Sequence, residues 1–175
     1  EATFGEMVTN GDAVAQDYFY DFVINGPFLR ITDFAGASPG MAGAPTATYN
    51  AEVRVNGSAV FSSSATLNGG IGGQVLTTSG TPFVNGGIVG GPAACCSWEV
   101  DFDDFADTIF LGNFAPGETF LFETFVEVSS SAYGFELGAL AAVGDPGDLS
   151  SGGMGGTVSG VASTVPAPAT LLLFA

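Results

Sequence analysis

Four aspartates, Asp101, Asp103, Asp104 and Asp107, fall within seven residues, and clustered carboxylates are what a hard cation such as Ca²⁺ selects, several oxygens at a time. The run lacks the turn glycine and closing glutamate of an EF-hand loop, so it is either a looser calcium site or a solvated acidic strand end. Cys95 and Cys96 are adjacent. Neighbouring Cα atoms lie about 3.8 Å apart, closer than the roughly 4.4 Å an ordinary disulfide prefers. The pair therefore predicts a strained vicinal ring or bridges to another subunit, with two buried reduced thiols as the remaining alternative. There is no His and no Lys, which removes Ser-His and Cys-His catalysis and any zinc site built on imidazole. A glycosidase-like carboxylate pair is the catalytic arrangement that remains, and no spacing among the 18 Asp and Glu singles out two of them. A non-enzymatic protein is the expectation.

Binding chemistry concentrates in the C-terminal segment, Val165-Pro166-Ala167-Pro168-Ala169-Thr170-Leu171-Leu172-Leu173-Phe174-Ala175. A bilayer-spanning helix needs roughly 20 apolar residues, and seven follow Pro168, so no membrane span is expected in the chain as given. Thr170, Leu171, Leu172, Leu173 and Phe174 form a short strand-compatible stretch that would add to the sheet edge of a neighbouring copy. Contact between two different patches builds an open filament when its rotation does not close. The competing account is the stub of a membrane anchor.

Val165, Pro166 and Pro168, followed by a small residue, Thr and unbroken Leu and Phe, resemble the sorting signal of PEP-CTERM proteins, with Ala167 where that family usually has Glu. Exosortase-bearing bacteria export such proteins, so the resemblance implies an extracellular or cell-surface location in a bacterium. Leu111 to Ser131, with its Ala-Pro-Gly-Glu turn, also looks like the late strands of β-sandwich domains in that family. Glu1-Ala2-Thr3-Phe4 reads as the new N-terminus left when a secretory signal is cleaved.

A chain of 175 residues is one ordinary domain, and at 46% hydrophobic with 16 Phe it is apolar enough to build a core despite 27 Gly. Arg30 and Arg54 are the only cations, and the formal charge is -16. Nucleic acid is excluded as a partner because phosphate binding runs on Lys and Arg; attraction to an anionic membrane surface falls for the same reason.

The elements that must position these groups are strands. Tyr18 to Ile24 and Phe28 to Thr32 flank an Asn25-Gly26-Pro27 turn and read as neighbouring strands. Thr48 to Val55 and Ser58 to Phe61 around Asn56-Gly57 predict a type I′ hairpin. Residues 68 to 92 alternate Gly-Gly pairs with short apolar pieces and predict short bulged strands. Trp98, Val100 and Phe102 alternate with Glu99, Asp101 and Asp103, so the first set faces the core. Phe120, Phe122, Thr124 and Val126 share one face of a long strand, with Leu121 and Phe125 suggesting partial cover on the other. Phe135 to Val143 predicts a weak strand or a short helix, and Gly155 to Val161 the last strand.

Many short strands punctuated by Gly, Pro and Asn turns predict an all-β fold, an antiparallel β-sandwich of jelly-roll-like type over residues 1–161, with residues 162–175 as linker and truncated sorting segment. The function expected is that of a secreted structural protein of the cell surface or biofilm matrix, a filament subunit whose partners are copies of itself and extracellular polysaccharide. The alternative is a monomeric module binding carbohydrate with the help of Ca²⁺.

Overall fold

Asn56 and Gly57 take φ of 50° and 77°, the left-handed pair that a type I′ turn requires, and fold β4 (Thr46–Val55) back as β5 (Ser58–Gly70). β4 alternates without a break: Ala47, Tyr49, Ala51, Val53 and Val55 are buried and the residues between them half-buried. The computed structural model describes residues 2–33, 43–70, 73–81, 89–91, 97–133, 137–143 and 154–163. With β1 (Ala2–Thr9), β6 (Gly73–Gly80) and β10 (Thr119–Ser131), the hairpin forms a five-stranded antiparallel sheet in the order β1-β10-β4-β5-β6.

Opposite it stand two smaller antiparallel sheets. One is β12-β2-β9, from β2 (Gln16–Ile24), β9 (Phe105–Phe114) and β12 (Met154–Ala162). The other is β11-β3-β8-β7, from β3 (Pro27–Asp33), β7 (Val89–Gly91), β8 (Ser97–Asp101) and β11 (Leu137–Val143). Their register is shared, because Ile24 faces Phe105 and Phe28 faces Asp101 with the same offset. The second layer is thus one ladder bent at residues 25–27 and 102–104. The bend is tight: Phe102 N–H donates to the Pro27 carbonyl at 3.0 Å and Gly26 N–H to Asp104 Oδ1 at 2.8 Å. A Cβ on Gly26 would lie 1.9 Å from the Phe102 carbonyl oxygen, so glycine is required there.

The layers meet through aromatic rings. Phe120, fully buried, stacks on Phe114 at 4.0 Å and takes Tyr18 edge-on at 5.2 Å; Tyr20 meets Phe122 at 4.7 Å and Phe22 meets Phe61 at 5.1 Å. Trp98, Val100 and Phe102 join the same core, as their alternation predicts.

The β-sandwich expectation holds. Its jelly-roll form is not carried by the strand order, in which β4, β5 and β6 meander within one sheet. β2 and β3 are consecutive but not paired; each pairs with a different sheet's strands, because the Gly26-Pro27 bend redirects the chain along the layer instead of reversing it. The segment read as strand or helix is a strand, β11, whose seven residues all pair with β3. In the glycine-rich region β5 runs on to Gly70 and β6 and β7 follow, so short strands are present there. β12 covers the predicted last strand with one further residue at each end. β1 is an additional strand that the sequence pattern does not predict.

Candidate functional site

Two edge strands, one from each layer, lie side by side with a groove between them. β1 pairs along its length with β10, and β12 along its length with β2. The sheets end there, leaving the far edge of each strand without a neighbouring strand among the described residues. The groove encloses about 620 Å³ and is lined by Phe4 and Val8 from β1, Met154 and Val158 from β12, and the rings of Tyr18 and Tyr20. Glu6 and Thr124 add polar atoms to its wall.

Local sequence explains the shape. Gly156 and Gly160 of β12 stand beside Tyr20 and Tyr18, and a Cβ on them would approach those rings to 2.6 Å and 3.1 Å. Side chains are missing so that the rings can lie across the strand. Burial of Tyr20 raises its phenol pKa, which keeps the hydroxyl neutral. At one end the groove is anchored by Asn10, which is fully buried. Its Nδ2 donates to the carbonyls of Val14 at 3.0 Å and Phe114 at 2.8 Å, and its Oδ1 accepts from Asp12 N–H at 3.0 Å. Its backbone bonds Glu118 and Gly117, so one residue ties the β1–β2 connection to the end of β9 and the β9–β10 turn. At the same end Ser163 N–H donates to the Ala15 carbonyl at 3.0 Å, which fixes where the chain leaves β12.

The edges lack the usual protection. Natural edge strands carry charges or prolines that discourage pairing with other chains. β12 has neither, and β1 has one charge, Glu6. Phe4 is 56% and Met7 61% exposed, so β1 keeps large apolar side chains in water.

The acidic run is spread out. Asp101 ends β8 and is exposed, Asp103 and Asp104 sit in the bend, and Asp107 lies in β9. Asp104 accepts from Gly26 N–H and Asp107 Oδ1 from Thr108 N–H at 2.8 Å, so two of the four serve the backbone. Among the described residues no group of three or more His, Cys, Asp or Glu converges as a metal ligand set. Cys95, Cys96, the tail residues Thr170 to Phe174 and the motif residues Val165, Pro166 and Pro168 lie outside the described residues. Among those described, no helix is long and apolar enough to cross a membrane.

Sequence reading missed the groove. Phe4, Glu6 and Val8 occupy one face of β1, and the glutamate in the middle breaks the apolar alternation that marks a strand. The uncharged composition of β12 was the available signal. The chain matches no protein-family model, no curated protein and no solved structure.

Proposed function

We propose that this protein is a non-enzymatic structural subunit of a bacterial surface or extracellular matrix, and that it assembles by strand addition. One observation carries the reading: two edge strands with a single charge between them, Glu6, flank a mainly apolar groove of about 620 Å³. Main-chain groups on the free edges supply affinity, and the pocketed groove supplies register for alternate side chains of an added strand. The occupant is residues 169–175 of a second copy, whose Leu and Phe match the apolar lining. Val165-Pro166-Ala167-Pro168 favours extended backbone at the residue before each proline. Donor tail and acceptor groove are different patches, so the contact propagates.

A charge of -16 per subunit opposes assembly through mutual repulsion. Ions screen such repulsion over a Debye length of about 10 Å at 0.1 M salt, so filaments lengthen as salt or Ca²⁺ is raised. The test is electron microscopy and light scattering of the full chain and of a chain lacking residues 169–175. The full chain forms filaments and the shortened one does not; equal assembly by both would reject the proposal.

A further inference from the structure

The outer face of the second layer carries an arrangement that strand addition does not use. On β2 and β9 three cross-strand pairs stand in a row: Asp17 with Asn113, Phe19 with Phe110, and Asp21 with Thr108. Their neighbours Tyr18, Tyr20 and Phe22 fill the core, so the row points outward. Phe110 and Asn113 are three apart, and strict alternation would put them on opposite faces. A bulge between Tyr18 and Phe19 prevents this: Leu111 turns inward, Gly112 takes φ of 143°, and both outer residues keep their place in the row.

The rings of Phe19 and Phe110 lie 5.5 Å apart, and Phe110 is 52% exposed. Asp17 Oδ1 accepts from Asn113 Nδ2 at 2.7 Å, and Asp21 Oδ1 accepts from Thr108 Oγ1 at 2.5 Å. An open depression of about 550 Å³ continues the row past Asp21 and Thr108, with Val23, Ala106 and Gly156 in its lining. Neither carboxylate faces a cation of this chain, since Arg30 is held by Glu99 and Arg54 by Glu52, and there are no others. An aromatic pair between two anions bonded to neutral donors is complementary to a ligand that is flat, partly apolar and positively charged.

We infer that this row binds a linear amino-sugar polymer carrying free ammonium groups. A sugar ring lays its C–H face on the exposed Phe110 ring, with the half-buried Phe19 tilted 53° beside it, while the ammonium groups of different sugars along the polymer reach Asp17 and Asp21, which stand about 13 Å apart along β2. The amide oxygen of Asn113 and the hydroxyl oxygen of Thr108 accept from sugar hydroxyls. A polymer of acidic sugars is repelled by a chain of charge -16. A neutral glycan leaves both carboxylates without a counter-charge, and a peptide of lysine alone has no ring to lay on Phe110. The row lies on the outer face of the layer and the groove on its inner side; Gly156 of β12 borders both.

The test is calorimetric titration of the full chain with short glucosamine oligomers, with N-acetylglucosamine oligomers and oligolysine of the same length as controls. Glucosamine oligomers bind, and the acetylated oligomers bind at least tenfold more weakly. Phe110→Ala weakens binding about threefold to fivefold, Asp21→Asn about tenfold, and Phe110→Tyr retains it; all three variants keep the parent unfolding midpoint. Absence of binding overturns the proposal, as does acetylated material binding equally well. Binding insensitive to Phe110→Ala would show general attraction of polycations to an acidic chain, and oligolysine bound as tightly with the same sensitivity would assign the row to basic peptides; either result overturns it.

Discussion

If a tail strand from one copy occupies the groove of the next, donor and acceptor can be disabled separately and the two halves will still recognise each other. A strand laid between β1 and β12 turns alternate residues inward, either Leu171 with Leu173 or Leu172 with Phe174. Burying each such side chain contributes about 1.5–3 kcal/mol, so two contribute about 3–6 kcal/mol, and the groove's 620 Å³ accommodates them. At about 1.4 kcal/mol per tenfold, removing residues 169–175 weakens subunit addition by about 10² to 10⁴. On the acceptor side, Val158→Glu places a second carboxylate in the groove that Glu6 also lines and blocks entry at similar cost. Val158 is only partly buried against the core, so the fold survives the change. In sedimentation velocity, each variant alone runs as a monomer. An equimolar mixture forms dimers and nothing larger, because one partner has a tail without a groove and the other a groove without a tail. A mixture that stays monomeric refutes donation between copies, and long polymers from Val158→Glu alone refute the groove as acceptor.

Other consequences concern the frame that holds the groove. Gly26→Ala drives a methyl into the Phe102 carbonyl and lowers unfolding free energy by about 1–3 kcal/mol in urea titration, by straightening the bend between β2 and β3. Asn10→Ala leaves the Phe114 and Val14 carbonyls without their side-chain donor, costs about 1–3 kcal/mol, and speeds amide exchange in β1 before the rest of the sheet. Burial raises the Tyr49 phenol pKa far above its ordinary value, with the Ser63 hydroxyl partly opposing. Because the folded pKa is the higher one, this contribution to stability is fully present below about pH 10 and is lost as pH rises beyond it, at about 1.4 kcal/mol per unit. Denaturation midpoints measured from pH 9 to 12 therefore fall, and Tyr49→Phe makes the fall shallower by one group.

Where each residue's own neighbours decide the outcome, sequence and structure agree. Asn56-Gly57 determined a type I′ hairpin because few other residues tolerate two positive φ angles in succession. Trp98-Glu99-Val100-Asp101-Phe102 determined which side chains enter the core, since alternation is a property of the strand itself. Charge and the missing His and Lys bounded the chemistry for the same local reason. Pairing between distant strands was not legible in this way. Asn25-Gly26-Pro27 has the composition of a reversing turn, yet it bends a continuous ladder because Asp104 and Phe102 bond it from the facing bend between β8 and β9. β1 lacks a buried alternating face and exists through its ladder with β10, more than a hundred residues away. The groove likewise belongs to no segment: Phe4, Tyr20 and Val158 become neighbours only when two sheets end side by side. The outward row of Phe110 and Asn113 depends on a bulge set by the register with β2. Composition and periodicity determined that this chain forms strands and which faces are apolar; tertiary structure decided which edges stay open, because an edge is defined by the absence of a neighbour and no residue encodes that alone.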